Sequence, residues 1–160
     1  MAMAQDVSII SESFIDLRAL LWVISLSLKK QFVNFFALPG IARFLGYREQ
    51  RHKHRENNLE DIFDGVLYRE LQENGTIGPS DYTIVFNTDG FKLFKHRTLS
   101  VWVLLVRLNE LPPNLRQRHL FLAGIWIDKL EPNMNTFLKP CVAEANQLST
   151  VGILWRPFMP

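Results

Sequence analysis

Between Leu99 and Leu108 both alternating sets of residues are apolar: Val101, Val103 and Leu105 on one, Trp102, Leu104 and Val106 on the other. A strand apolar on both faces belongs inside a sheet with other layers packed over it. Asn109-Glu-Leu-Pro-Pro113 ends the run, because successive prolines cannot donate to a ladder. Tyr82-Thr-Ile-Val-Phe-Asn-Thr-Asp89 alternates and is rich in β-branched and aromatic residues, so a strand precedes it. Leu120 to Ile127 is a third strand of the buried kind.

After Pro132 the period changes. Met134, Phe137, Leu138, Cys141, Val142, Ala145 and Leu148 recur at helical spacing, with Pro140 either kinking the helix or opening its first turn. Gly152 closes it, and Ile153-Leu-Trp155 is expected to start a fourth strand. Upstream, Leu59 to Leu71 places Leu59, Ile62, Phe63, Val66, Leu67 and Leu71 on one helical stripe. The charged run Tyr47 to Asn58 is a solvated face or loop, with phosphate contact as the alternative. Residues 1–43 are expected to be a helical extension and 44–160 the core.

A chain of 160 residues suits one domain, and at 48% apolar content it is globular material. A net charge of +2 makes no case for nucleic acid. The lone Cys141 excludes an internal disulfide and a cysteine-based zinc cluster. The apolar run 19–28 is shorter than the roughly 20 residues a spanning helix needs. Acidic residues precede it and Lys29-Lys30 follow, so a buried helix is preferred to a membrane anchor or signal peptide.

The words Asn87-Thr-Asp-Gly-Phe91, Ser100-Val-Trp102, Asn109-Glu-Leu-Pro-Pro113, Ala123-Gly-Ile-Trp126, Lys129, Pro132, Phe137-Leu-Lys-Pro140 and Gly152 follow one another at set spacings. With Asp61-Ile-Phe-Asp-Gly65 and Tyr68 ahead of them, this series resembles the catalytic core of CACTA (En/Spm-type) DNA transposases over about residues 44–157. Plant members carry prolines near Leu93 and Val103; their absence points to the animal branch.

The resemblance implies an α/β fold: an incomplete ribonuclease-H-like core of three strands, a helix and the start of a fourth strand, behind helical N-terminal segments. It implies a nuclear enzyme that cuts and joins DNA through acidic residues holding two Mg²⁺ or Mn²⁺ ions. Asp89 would be the first of these ligands. Read without the resemblance, Asp89-Gly90 is a hairpin turn signal. The family's later acidic residues and its Cys/His cluster lie beyond the point where this sequence stops. Glu110, Asp128 and Glu144 are expected to be solvated charges rather than substitutes.

Lys95, His96 and Arg97, and Arg116 and Arg118 with His119, are basic loops that could meet phosphates or stand as exposed turns. His52 and His54 point different ways on a helix and are taken as surface residues. DNA is the expected partner, with self-association as a second, no small-molecule substrate, and a membrane disfavoured. The leading expectation is an inactive transposase fragment with no stably bound metal, of marginal stability through its exposed sheet edge. The alternatives are a retained DNA- or protein-binding module and a small membrane-associated protein.

Overall fold

The chain folds as a four-stranded antiparallel sheet covered on one face by two helices, with a smaller irregular unit docked at one end. The computed structural model describes residues 22–55, 57–92 and 99–156. In chain order these form β1 (Trp22–Ser25), α1 (Leu28–Phe36), α2 (Tyr47–Gln50), α3 (Val66–Glu73), β2 (Ile84–Lys92), β3 (Ser100–Leu108), α4 (Pro113–Arg116), β4 (Leu120–Asp128) and α5 (Met134–Val151). The sheet order is β1-β4-β3-β2, antiparallel throughout.

The three expected strands and the long helix lie where the periodicity puts them, and Pro140 sits inside α5. The fourth strand does not. Ile153 to Trp155 carry no strand, and the fourth member is β1, from the segment expected to be helical. Trp-Val-Ile suits an extended backbone, and the edge of β4 offers it a ladder, with Val23 on the helix-covered face and Ile24 on the other. Serine then changes the conformation: Ser27 caps α1 by accepting the Lys30 N–H.

Glu144 completes that cap from α5. Its carboxylate accepts the Ser27 hydroxyl at 2.6 Å and the N–H groups of Leu28 and Lys29 at 2.8 and 3.1 Å. A carboxylate there meets both the unsatisfied donors and the positive end of the helix. Glu144 is therefore not the solvated charge expected.

The core lies between the helices and one sheet face. Phe32 and Phe35 of α1 meet Phe121 edge-on at 4.7 and 5.2 Å, and Phe137 of α5 meets Trp126 at 6.1 Å. β4 reaches this packing through a bulge: Leu104 pairs with Gly124 but Leu105 pairs with Leu122, and the skipped Ala123 accepts the Leu26 N–H. Gly124 leaves room for Phe137, since a Cβ there would lie 3.2 Å from the ring.

The opposite face, with Ile24, Leu122, Val103, Ile125 and Ile127, has no comparable layer among the described residues. The described layers thus cover β3 on one side, while on its other face Val101 is buried and Val103 and Leu105 are half-buried.

The expected helix over 59–71 is shorter than its stripe. A 3₁₀ turn at Ile62–Asp64 and α3 are separated by extended Gly65, and Leu59, Val66 and Leu67 stay exposed while Phe63 and Tyr68 are buried.

Candidate functional site

Asp89 lies in the middle of β2, opposite Val103, and the strand runs on through Gly90 to Lys92. The hairpin-turn reading of Asp-Gly is thereby replaced. Glycine is needed at 90 for packing: a Cβ there would stand 2.4 Å from the Trp102 indole, which leans across the position. The Asp89 side chain is exposed on the face away from α1 and α5, and its Oδ1 accepts the Gly90 N–H at 2.8 Å. Among the described residues no group of three or more His, Cys, Asp or Glu is placed to hold a metal ion. Asp89 offers one carboxylate, and a two-metal centre needs further oxygen ligands around it.

The two basic segments fare differently. Lys95, His96 and Arg97 lie outside the described residues. Arg116 is a buried packing group: its Nε donates to the Leu111 carbonyl, its Nη1 reaches Asp61 Oδ1 at 2.8 Å, and the guanidinium stacks over Tyr47 and Phe63. Arg118 is exposed just before β4, while His119 packs on the Phe35 ring at 4.8 Å. Arg118 sits near the Leu108 end of the sheet, and Lys92, the last described residue before the other basic segment, pairs with Ser100 at the opposite end.

The chain's most developed polar cluster lies elsewhere, and the sequence reading passed over it. Glu110 is only 1% exposed, in the turn after β3. It accepts the Thr83 N–H at 2.8 Å and hydroxyl at 2.9 Å, lies 3.5 Å from the Tyr68 hydroxyl, and faces the Arg48 guanidinium at 3.7 Å. Burial pushes its carboxyl above the usual range, opposed by the Thr83 hydrogen bonds and the Arg48 charge.

Arg48 also donates to Tyr68 Oη and to the carbonyls of Gly78, Pro79 and Asp81, so one side chain gathers three segments. Beside it Arg51 pairs with Asp64, and Lys53 lies 3.6 Å from the same carboxylate. Burial works to raise the Asp64 carboxyl, but the N–H groups of Glu60 and Asp61 and the Arg51 side chain bring it down to about 2.

These contacts correct two expectations. In the charged run from Tyr47, the guanidiniums of Arg48 and Arg51 turn inward and are not open to phosphate, while Glu49, Gln50, His52, His54, Arg55, Asn57 and Asn58 are exposed, as expected of a solvated loop. Glu110 is a buried anchor, not a solvated charge. Asp128 is half-buried at the end of β4, its Oδ1 accepting the Lys129 N–H and its carbonyl the Ser100 hydroxyl. His54, by contrast, is at the surface as expected, beside Glu60. The signal that could have revealed the cluster is Asp61-Ile-Phe-Asp64, whose spacing forms a reciprocal capping box that also receives Arg51 and Arg116.

Comparison with family models, with characterised proteins and with solved structures finds no match to this chain.

Proposed function

We propose that the chain is a fragment of the catalytic core of a CACTA-type DNA transposase, with Asp89 the first metal ligand of the complete enzyme and no cleavage activity in this piece alone. The observation that carries the reading is the unequal use of the motif residues by the fold. Gly90 makes room for Trp102, Gly124 for Phe137, Glu110 anchors Thr83, and Pro113 opens α4. Packing thus accounts for these four positions of the series. It does not account for Asp89, an exposed carboxylate in mid-strand whose recorded hydrogen bond is to its own neighbour.

A ribonuclease-H-like order is part of the same proposal. What supports it is the β2-β3-β4 meander followed by α5, and the segment after Gly152 running beside the start of β2. There Trp155 packs at a tilt against Phe36, ring centroids 5.4 Å apart, and Trp155, Leu148, Tyr82 and Ile84 line an open cavity of about 640 Å³. A return strand would enter the sheet at the free edge of β2. In the complete enzyme Asp89 would hold a Mg²⁺ or Mn²⁺ ion that activates the attacking oxygen. Arg118, and Lys95 to Arg97, are the basic residues proposed to touch DNA phosphates, in a nuclear setting.

The test is cleavage of supercoiled plasmid with Mg²⁺ or Mn²⁺. The chain alone should leave the plasmid intact. Mixed with the downstream segment of a complete CACTA transposase it should nick the DNA, and Asp89→Asn should abolish that activity. Failure of complementation, or nicking that survives Asp89→Asn, would overturn the reading.

A further inference from the structure

The outer edge of β2 carries backbone groups that no described element uses. The Asn109 N–H donates to the Thr83 carbonyl at 3.0 Å, and the same register continues unbroken from Ile84 to Lys92. Antiparallel ladders alternate, so Val85, Asn87, Asp89 and Phe91 turn their backbone groups toward β3. Ile84, Phe86, Thr88, Gly90 and Lys92 turn theirs outward. Nine residues present about 30 Å of edge. Two large apolar side chains flank it, Phe86 and Phe91, each about half exposed.

We propose that this edge pairs with β2 of a second copy of the chain, antiparallel, with the two-fold axis at Thr88. In that register Phe86 faces Gly90, Val85 faces Phe91, Asn87 faces Asp89 and Ile84 faces Lys92, with Thr88 opposite its twin. All five outward residues then find partners, giving up to about ten backbone hydrogen bonds. A two-fold at Asp89 sets two carboxylates face to face, and one at Asn87 sets Val85 against Asp89; both use fewer of the outward groups.

Side chains favour the same register. Gly90 has no side chain and the Trp102 indole leans over it, so Phe86 of the second copy lies across the glycine against the edge of the indole. The Asn87 amide takes the Asp89 carboxylate of the second copy as it leaves the Gly90 N–H. The Thr88 hydroxyl is buried and without a partner among the described residues, and a turn about its Cα–Cβ bond brings it toward its twin on the axis. An edge contact of this size falls in the small class of interfaces, roughly below 1,200 Å² in total, so pairing is reversible. It uses the same free edge that the return strand of a complete enzyme would enter, so pairing of two copies and insertion of that strand exclude each other. Dimerisation of this chain is tested without any cleavage assay.

Sedimentation equilibrium of the full chain from micromolar to near-millimolar concentration should show a monomer–dimer equilibrium. Phe86→Lys, at an exposed position, should keep the circular dichroism spectrum and weaken the dimer at least tenfold. Mild oxidation of Thr88→Cys should give a disulfide-linked dimer, since Cys141 is buried and twin residues on the axis lie at about 5.5 Å between Cα atoms, within disulfide range. Phe86→Cys, which faces Gly90 and not itself, should cross-link at least tenfold less. A monomer throughout the range, a folded Phe86→Lys variant that still dimerises fully, or equal cross-linking of the two cysteines would each overturn the proposal.

Discussion

Glu110 and Arg48 show how a single buried charge fixes the relation between distant segments. A carboxylate taken out of water must be fully partnered, and here Thr83, Tyr68 and Arg48 share that task across 62 residues of sequence. Arg48→Met leaves Glu110 short of its countercharge and frees three carbonyls, so it should lower unfolding free energy by about 3 kcal/mol in urea titrations. Asp64 gives a prediction in pH. Its carboxyl lies at about 2 against an ordinary 3.8, so it contributes stability above about pH 4 and loses it as pH falls through about 2. The difference in unfolding free energy between the original chain and Asp64→Asn should therefore be about 2 kcal/mol at neutral pH and vanish below pH 2. A difference that stays constant with pH would mean that Asp64 acts through shape and not charge.

Among the elements, those legible in the sequence are the ones whose periodicity had a single interpretation. β3, β4 and α5 fall where alternation or helical spacing placed them, because each buries at least one full face. β1 was not legible: four residues inside an apolar run show no period, and only the free edge of β4 makes them a strand. Ile153 to Trp155 failed in the opposite sense, a strand-like composition with no described partner, held instead by Trp155 against Phe36. Asp89 was legible as a strand residue, whereas Glu110 and Arg116 were not legible as buried, since charge in a turn ordinarily means solvent. The α1 cap depends on a residue 117 positions away, beyond any local pattern. Glu144→Ala removes three hydrogen bonds from the start of α1 and should cost about 2 kcal/mol, with the loss of helical circular dichroism preceding the loss of tryptophan signal.

At the scale of the molecule the sheet is lopsided. Leu104, 1% exposed, points into the layer of α1 and α5, while its neighbour Val103 points to the face without a described layer. The two residues belong to one strand and one ladder, so their difference isolates what cover contributes. Leu104→Ala opens a cavity among Phe121, Phe137 and Trp126 and should cost about 3 kcal/mol. Val103→Ala removes apolar surface that water already reaches, and should cost about 1 kcal/mol or less. Urea denaturation of both variants, followed by tryptophan fluorescence, measures the contrast directly. Equal costs would mean that the apolar face of Ile24, Leu122 and Ile125 is sealed in solution by chain outside the described residues, and a substitution there would then report on a second core.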